Sequence, residues 1–163
     1  MTKWTRSWDT LLFSGIALLI VLGLGGSFLA YYLNPVNAEM RRLQGDWELV
    51  RVEHDGEEIN AGFFEGTYRV RGDRVTNIAA QESPSEGEKY FRIRVNPQVE
   101  PREIDLIFQV PKKKEEGITL AIYELEHDSL KICSYFLKDD SPRPTDFDAK
   151  SEGCFVAFFN RKK

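Results

Sequence analysis

The chain has 163 residues, room for one domain of ordinary size plus a terminal segment. Its formal charge is −4, from 22 basic and 26 acidic side chains, which argues against nucleic acid as a partner. A nucleic-acid binder needs clustered Lys and Arg to displace counterions.

The apolar residues are unevenly spread. Positions 11–33 form a stretch of 23 residues without a charge, whereas everything from Glu39 onward is rich in charges and turn formers. Setting aside Lys3, Arg6 and Asp9 leaves 20 basic and 25 acidic side chains, a net charge near −5 for the remainder. A helix over 11–33 would be about 35 Å long, enough to cross a ~30 Å hydrocarbon core with some tilt. Trp4 and Trp8 precede this stretch and Tyr31 and Tyr32 close it, as an interfacial aromatic belt requires. Lys3 and Arg6 lie before it and Arg41 and Arg42 after it, so charge alone does not orient the span. A cleaved signal peptide is the alternative, with Pro35 as helix breaker and a cut after Ala38, before Glu39. The apolar core exceeds the ~7–15 residues of a signal h-region, which favours an uncleaved anchor. The expected order is a short tail over 1–10, a transmembrane helix over 11–33, a spacer over 34–42 and a folded domain over 43–163.

From Trp47 the chain punctuates itself every eight to twelve residues, the spacing of an all-β sandwich or barrel. Strands are expected over 47–53, 67–71, 74–79, 90–95, 103–110, 118–125, 130–136 and 154–160. Gly72-Asp73 marks a hairpin between the second and third. Alternation is clear where Phe91, Ile93 and Val95 share one face and Ile104, Leu106, Phe108 and Val110 another. Residues 57–65 have no clean period and are expected to form a loop with one helical turn at Gly62-Phe63-Phe64. Residues 81–89 read as a polar loop, and Lys112–Lys114 as a solvated hairpin tip. Eight strands with short connections and no crossover helix lose their edges most simply by closing into an antiparallel up-and-down barrel; a two-sheet sandwich is the runner-up.

Four blocks carry a resemblance: Leu43-Gln44-Gly45-Asp46-Trp47, Pro101-Arg102-Glu103-Ile104-Asp105-Leu106, Gly117 to Cys133 (GITLAIYELEHDSLKIC), and Arg143-Pro144-Thr145-Asp146-Phe147. In this order they resemble an uncharacterised bacterial lipocalin-like domain family abundant in planctomycetes, over nearly all of residues 43–161. The resemblance implies a lipocalin-like barrel and brings no established activity or ligand. The family often has a glycine after IYEL, where this chain has His127-Asp128-Ser129. It further implies that Trp47, after Gly45, packs at a closed barrel end beneath Arg161, whose guanidinium would stack on the ring. That trio reads as a structural closure.

Arg143, Thr145, Asp146 and Phe147 form a candidate barrel-mouth loop: Arg143 can pair with Asp146, and Phe147 can drop into the barrel. A self-contained latch is the plainer reading of the same residues. Cys133 and Cys154 lie on strands flanking a long loop, where a disulfide and a pair of buried thiols are equally compatible with their placement. His54 and His127 each precede Asp in an expected turn, where Asp is favoured for its own side-chain hydrogen bonds. No zinc spacing, phosphate loop or paired-carboxylate pattern stands out, so neither a cofactor nor an enzyme is expected. The expectation is a membrane-anchored domain held outside the cytoplasm, binding a small apolar ligand. The alternative is an interaction module with a side-chain-filled barrel.

Overall fold

A computed structural model of the chain describes residues 30–60, 66–78, 90–109, 116–135, 141–151 and 153–163. The chain divides after Ala38 into two units, Met1–Ala38 and Glu39–Lys163. The transmembrane helix expected over 11–33 lies outside the described residues apart from 30–33, which are helical. Among the described residues no helix is long and apolar enough to cross a membrane. The helical turn expected at Gly62–Phe64, the loop over 81–89 and the Lys112–Lys114 tip also lie outside the described residues.

The expected spacer is instead a helix, α1, Pro35–Leu43. Its start is set by local chemistry. The Asn34 side chain accepts hydrogen bonds from the Val36 and Asn37 N–H groups, at 2.9 and 3.4 Å. Pro35 follows in the first helical position, where its missing N–H costs nothing. Arg41 and Arg42 occupy the last turn, where positive charge complements the helix dipole.

The second unit is a closed antiparallel barrel. Its strands are β1 (Gly45–His54), β3 (Thr67–Arg71), β4 (Arg74–Asn77), β5 (Tyr90–Asn96), β6 (Arg102–Gln109), β7 (Glu116–Glu126), β8 (Ser129–Tyr135) and β9 (Cys154–Arg161). Each pairs with the next, and β9 pairs back onto β1, so eight strands form a ring and the sandwich alternative is excluded. One further strand, β2 (Glu57–Ile59), lies where a loop was expected. Asp55 (φ 53°) and Gly56 (φ 79°) turn β1 directly into it, as a two-residue hairpin with both central residues left-handed requires. Along one side of β1, β3 pairs with Gly45–Glu48 and β2 with Val52–His54. The register against β9 shifts between Leu49 and Arg51, which leaves Val50 bulged outward and 55% exposed.

Residues opposite one another across a ladder share a face, and this sorts the buried side chains into two sets. Val95, Ile104 and Ala121 run in one row across β5, β6 and β7; Val70 faces Val75, Trp47 faces Tyr68, and Leu125 faces Leu130. These are buried or half-buried residues of the barrel interior. Ile122, Cys133 and Val156 run in a row of the other parity, yet they too are almost fully buried. They belong to a second cluster on the outer wall, joined by Cys154 and covered by Ala149 and Phe147 from residues 141–151.

Candidate functional site

One end of the barrel is plugged. Gly45 (φ 124°) lets the chain leave α1 and enter β1, and Trp47 is 1% exposed. The Trp47 indole N–H donates to the Leu43 carbonyl at 2.8 Å. Arg161 stands opposite Trp47 in the ladder, its guanidinium carbon 4.2 Å from the ring centroid. Its two terminal nitrogens donate to the Gln44 and Arg42 carbonyls, both at 2.6 Å. Satisfying carbonyls at the end of α1, it fastens the first strand and the helix to the last strand. The structure thus brings Gly45, Trp47 and Arg161 together at one end.

A second polar group there had no signature in the sequence. Glu39, 5% exposed, accepts from Arg102 (3.0 Å), the Tyr123 hydroxyl (3.2 Å) and Arg42 (2.8 Å). Arg42 also donates to the Leu125 carbonyl. Every member of this cluster is partnered, the condition under which a charge can be buried cheaply. Burial, with the nearby Glu39 charge, pushes the Tyr123 hydroxyl well above its ordinary range.

The other end is different. Register places the inner-face residues Phe91, Leu106, Phe108, Thr119, Ser134 and Phe155 in the half away from Trp47. All but Ser134 are only partly buried, whereas Trp47, Tyr123, Ile104, Leu125 and Leu130 toward the plug are almost closed to solvent. The Phe91 and Phe108 rings lie 5.1 Å apart, and His54 stacks on Phe155 at 4.0 Å and 5°. His54 Nδ1 lies 3.1 Å from the Cys154 carbonyl oxygen, which holds the ring in place.

The expected mouth loop does not sit over the lumen. Arg143 crosses the outer wall to β6, where its guanidinium meets Asp105 at 2.6 Å and Glu103 at 3.2 Å and donates to the Ile104 and Ala121 carbonyls. Asp105 is held from its other side by Arg94 at 2.7 Å. Burial pushes the Asp105 carboxyl up, but the hydrogen bonds and charges of Arg143 and Arg94 outweigh it and hold it below the usual carboxylate range. Pro144 is buried, Thr145 and Asp146 are exposed, and Phe147 packs on the outer cluster beside Phe158. Asp146 does not pair with Arg143; its carboxylate accepts from the Asp148 N–H at 3.0 Å, an Asx turn. Phe147 lies under the Lys131 ammonium, 4.5 Å from its ring centroid, and not inside the barrel. Residues 141–151 therefore form a strap: β6 carries carboxylates on its outer face, and these capture the arginine before Asp146 can.

Cys133 and Cys154 lie beneath this strap. They are not directly opposite: Cys133 faces Val156, and Cys154 faces Tyr135. The pair is diagonal, with the two Sγ atoms 2.6 Å apart. His127 (φ 46°) and Asp128 form the β7–β8 turn at the plugged end, where Asp128 meets Arg161 Nε at 3.2 Å. Among the described residues Arg143, Asp146, His54 and His127 make no contact with one another, and no group of three His, Cys, Asp or Glu side chains could hold a metal ion. Comparison with protein-family models, curated proteins and solved structures finds no match to this chain.

Proposed function

We propose that this protein is a membrane-anchored, lipocalin-like binding domain. Residues 11–33 hold it at a membrane with the barrel outside the cytoplasm, and a small apolar ligand enters at the end opposite Trp47. The observation that carries this reading is the asymmetry of the lumen. Inner-face Phe91, Leu106, Phe108 and Phe155 keep contact with solvent inside a closed ring, while Trp47, Tyr123, Leu125 and Leu130 toward the plug are almost closed to it. Apolar surface kept accessible in a concave setting gains free energy when a ligand covers it, at ~25 cal/mol per Å² before the costs of association. The plug and the Glu39 cluster, all within Glu39–Lys163, keep water from entering at the other end.

The test is native mass spectrometry of Glu39–Lys163 after expression, followed by titration with a fluorescent fatty acid. A carried small molecule, or saturable probe binding weakened by Phe108→Glu, is the expected result. A ligand-free mass together with no probe binding would remove the reading. A second reading, an interaction module with a filled barrel, draws on the packing of the Trp47 half. Specific recovery of one protein partner with a lumen that takes no probe would favour it.

A further inference from the structure

The chain has two cysteines, and both lie on the outer wall of the barrel. They come from neighbouring antiparallel strands, 21 positions apart in sequence, with sulfurs in direct contact. Each is at most 1% exposed, beneath a lid made by Ala149 and Phe147 of the strap. The strap is held at one end by Arg143 on β6 and at the other by the Cys154 N–H, which donates to the Ser151 carbonyl at 2.9 Å. We propose that Cys133 and Cys154 form a disulfide that staples β8 to β9 on the outer wall, and that the strap shields this bond from exchange.

Two physical arguments support the pairing. Adjacent strands already hold the sulfurs together, so the bond removes freedom mainly from the unfolded chain and asks little movement of the folded one. The site is also shaped for storage more than for turnover. Thiol–disulfide exchange needs an ionised sulfur and a third sulfur approaching along the bond. Burial, reinforced at Cys133 by the neighbouring sulfur, pushes that thiol up, and burial pushes Cys154 up as well. With Phe147 and Ala149 seated, neither requirement is met. Formation therefore belongs to folding or to strap opening. One cysteine, as thiolate, attacks an oxidised dithiol or oxidised glutathione, forming a mixed disulfide and expelling one thiolate. The second then attacks the first protein sulfur and expels the other thiolate. Two electrons pass to that oxidant and two protons to solvent. The bond faces away from the lumen, so this inference stands independently of ligand binding.

The experiment uses the full-length chain, purified reduced in mild detergent and equilibrated with glutathione mixtures. It is then quenched in acid, unfolded with a maleimide and weighed intact. In a glutathione mixture as oxidising as that of a secretory compartment, the expected product is lighter than the reduced chain by about 2 Da and carries no adduct. Two adducts per chain at equilibrium would overturn the pairing. A second measurement compares reduction of the native oxidised protein with that of Phe147→Ala, expected to be roughly tenfold faster because the lid is thinner. Equal rates would overturn the shielding. Melting of the oxidised and reduced forms of the same chain should differ by about 10 °C, and coincident melts would remove the stapling role.

Discussion

Replacing Arg143 by alanine isolates the anchoring of the strap to the outer wall. The Arg143 side chain is 22% and the Asp105 side chain 10% exposed, with their charged groups 2.6 Å apart. Removing one partner of a fully buried ion pair costs about 3–5 kcal/mol, because the survivor is left uncompensated. Here Asp105 keeps Arg94, and Glu103, 34% exposed on its side chain, can turn to water. The expected loss is therefore about 2–3 kcal/mol, which moves a urea midpoint down by about 1–2 M. A cycle with Asp105→Asn should return a coupling of about 1–2 kcal/mol. Acid adds a second axis. The folded Asp105 pKa lies below the ordinary 3.8, so its contribution is present above that value and is lost as pH falls through the folded pKa. Without Arg143, burial is opposed by Arg94 alone, the folded pKa rises, and the acid limb moves to higher pH. A midpoint shift under about 0.5 M, or a coupling within about 0.3 kcal/mol of zero, would refute the reasoning.

The remaining outcomes concern the plugged end. Gly45→Ala puts a Cβ 2.9 Å from Arg161 Nη1 at φ +124°, and should cost about 2–3 kcal/mol in denaturant melts followed by Trp47 fluorescence. Arg161→Lys, which keeps the charge but loses the fork to two carbonyls, should cost about 1–2 kcal/mol, and the double variant less than the sum. Glu39→Ala strands the Tyr123 hydroxyl and Arg102, for about 2–3 kcal/mol by thermal melting. In the parent chain Tyr123 titrates above its ordinary 10.0, so its stabilising contribution is complete below that pH and declines as pH rises toward the folded pKa. Tyrosinate absorbance should accordingly show this residue ionising together with alkaline unfolding.

The eight ring strands were legible because alternation survives wherever one face meets the interior and the other meets water. β2 was not, being three residues long, although Asp55-Gly56 is a hairpin signal in its own right. α1 lies where the composition suggests only a spacer, although Asn34-Pro35 is a helix-start pair, and its burial of Glu39 depends on Arg102 and Tyr123, which are remote in sequence. The strap was misplaced for a related reason. Pairing Arg143 with Asp146 is a local choice, whereas the nearer carboxylates belong to β6, 38 positions away for Asp105. A clue lay in the sequence itself: Leu120, Ala121, Ile122 and Tyr123 form a continuous apolar run, which asks for cover on both faces of β7.

The β1–β9 seam sets the order in which the molecule can be assembled. Trp47 and Arg161 face each other across that ladder with nearly the whole unit between them, so closure carries the largest loop entropy in the barrel. A ribosome delivers β9 last. Until then β1 and β8 are bare edges, and the apolar outer cluster waits for Cys154 and Val156 to complete it. The nascent chain is therefore an unfinished sheet with two adhesive margins, and its exposure to aggregation ends in one step when the final strand docks.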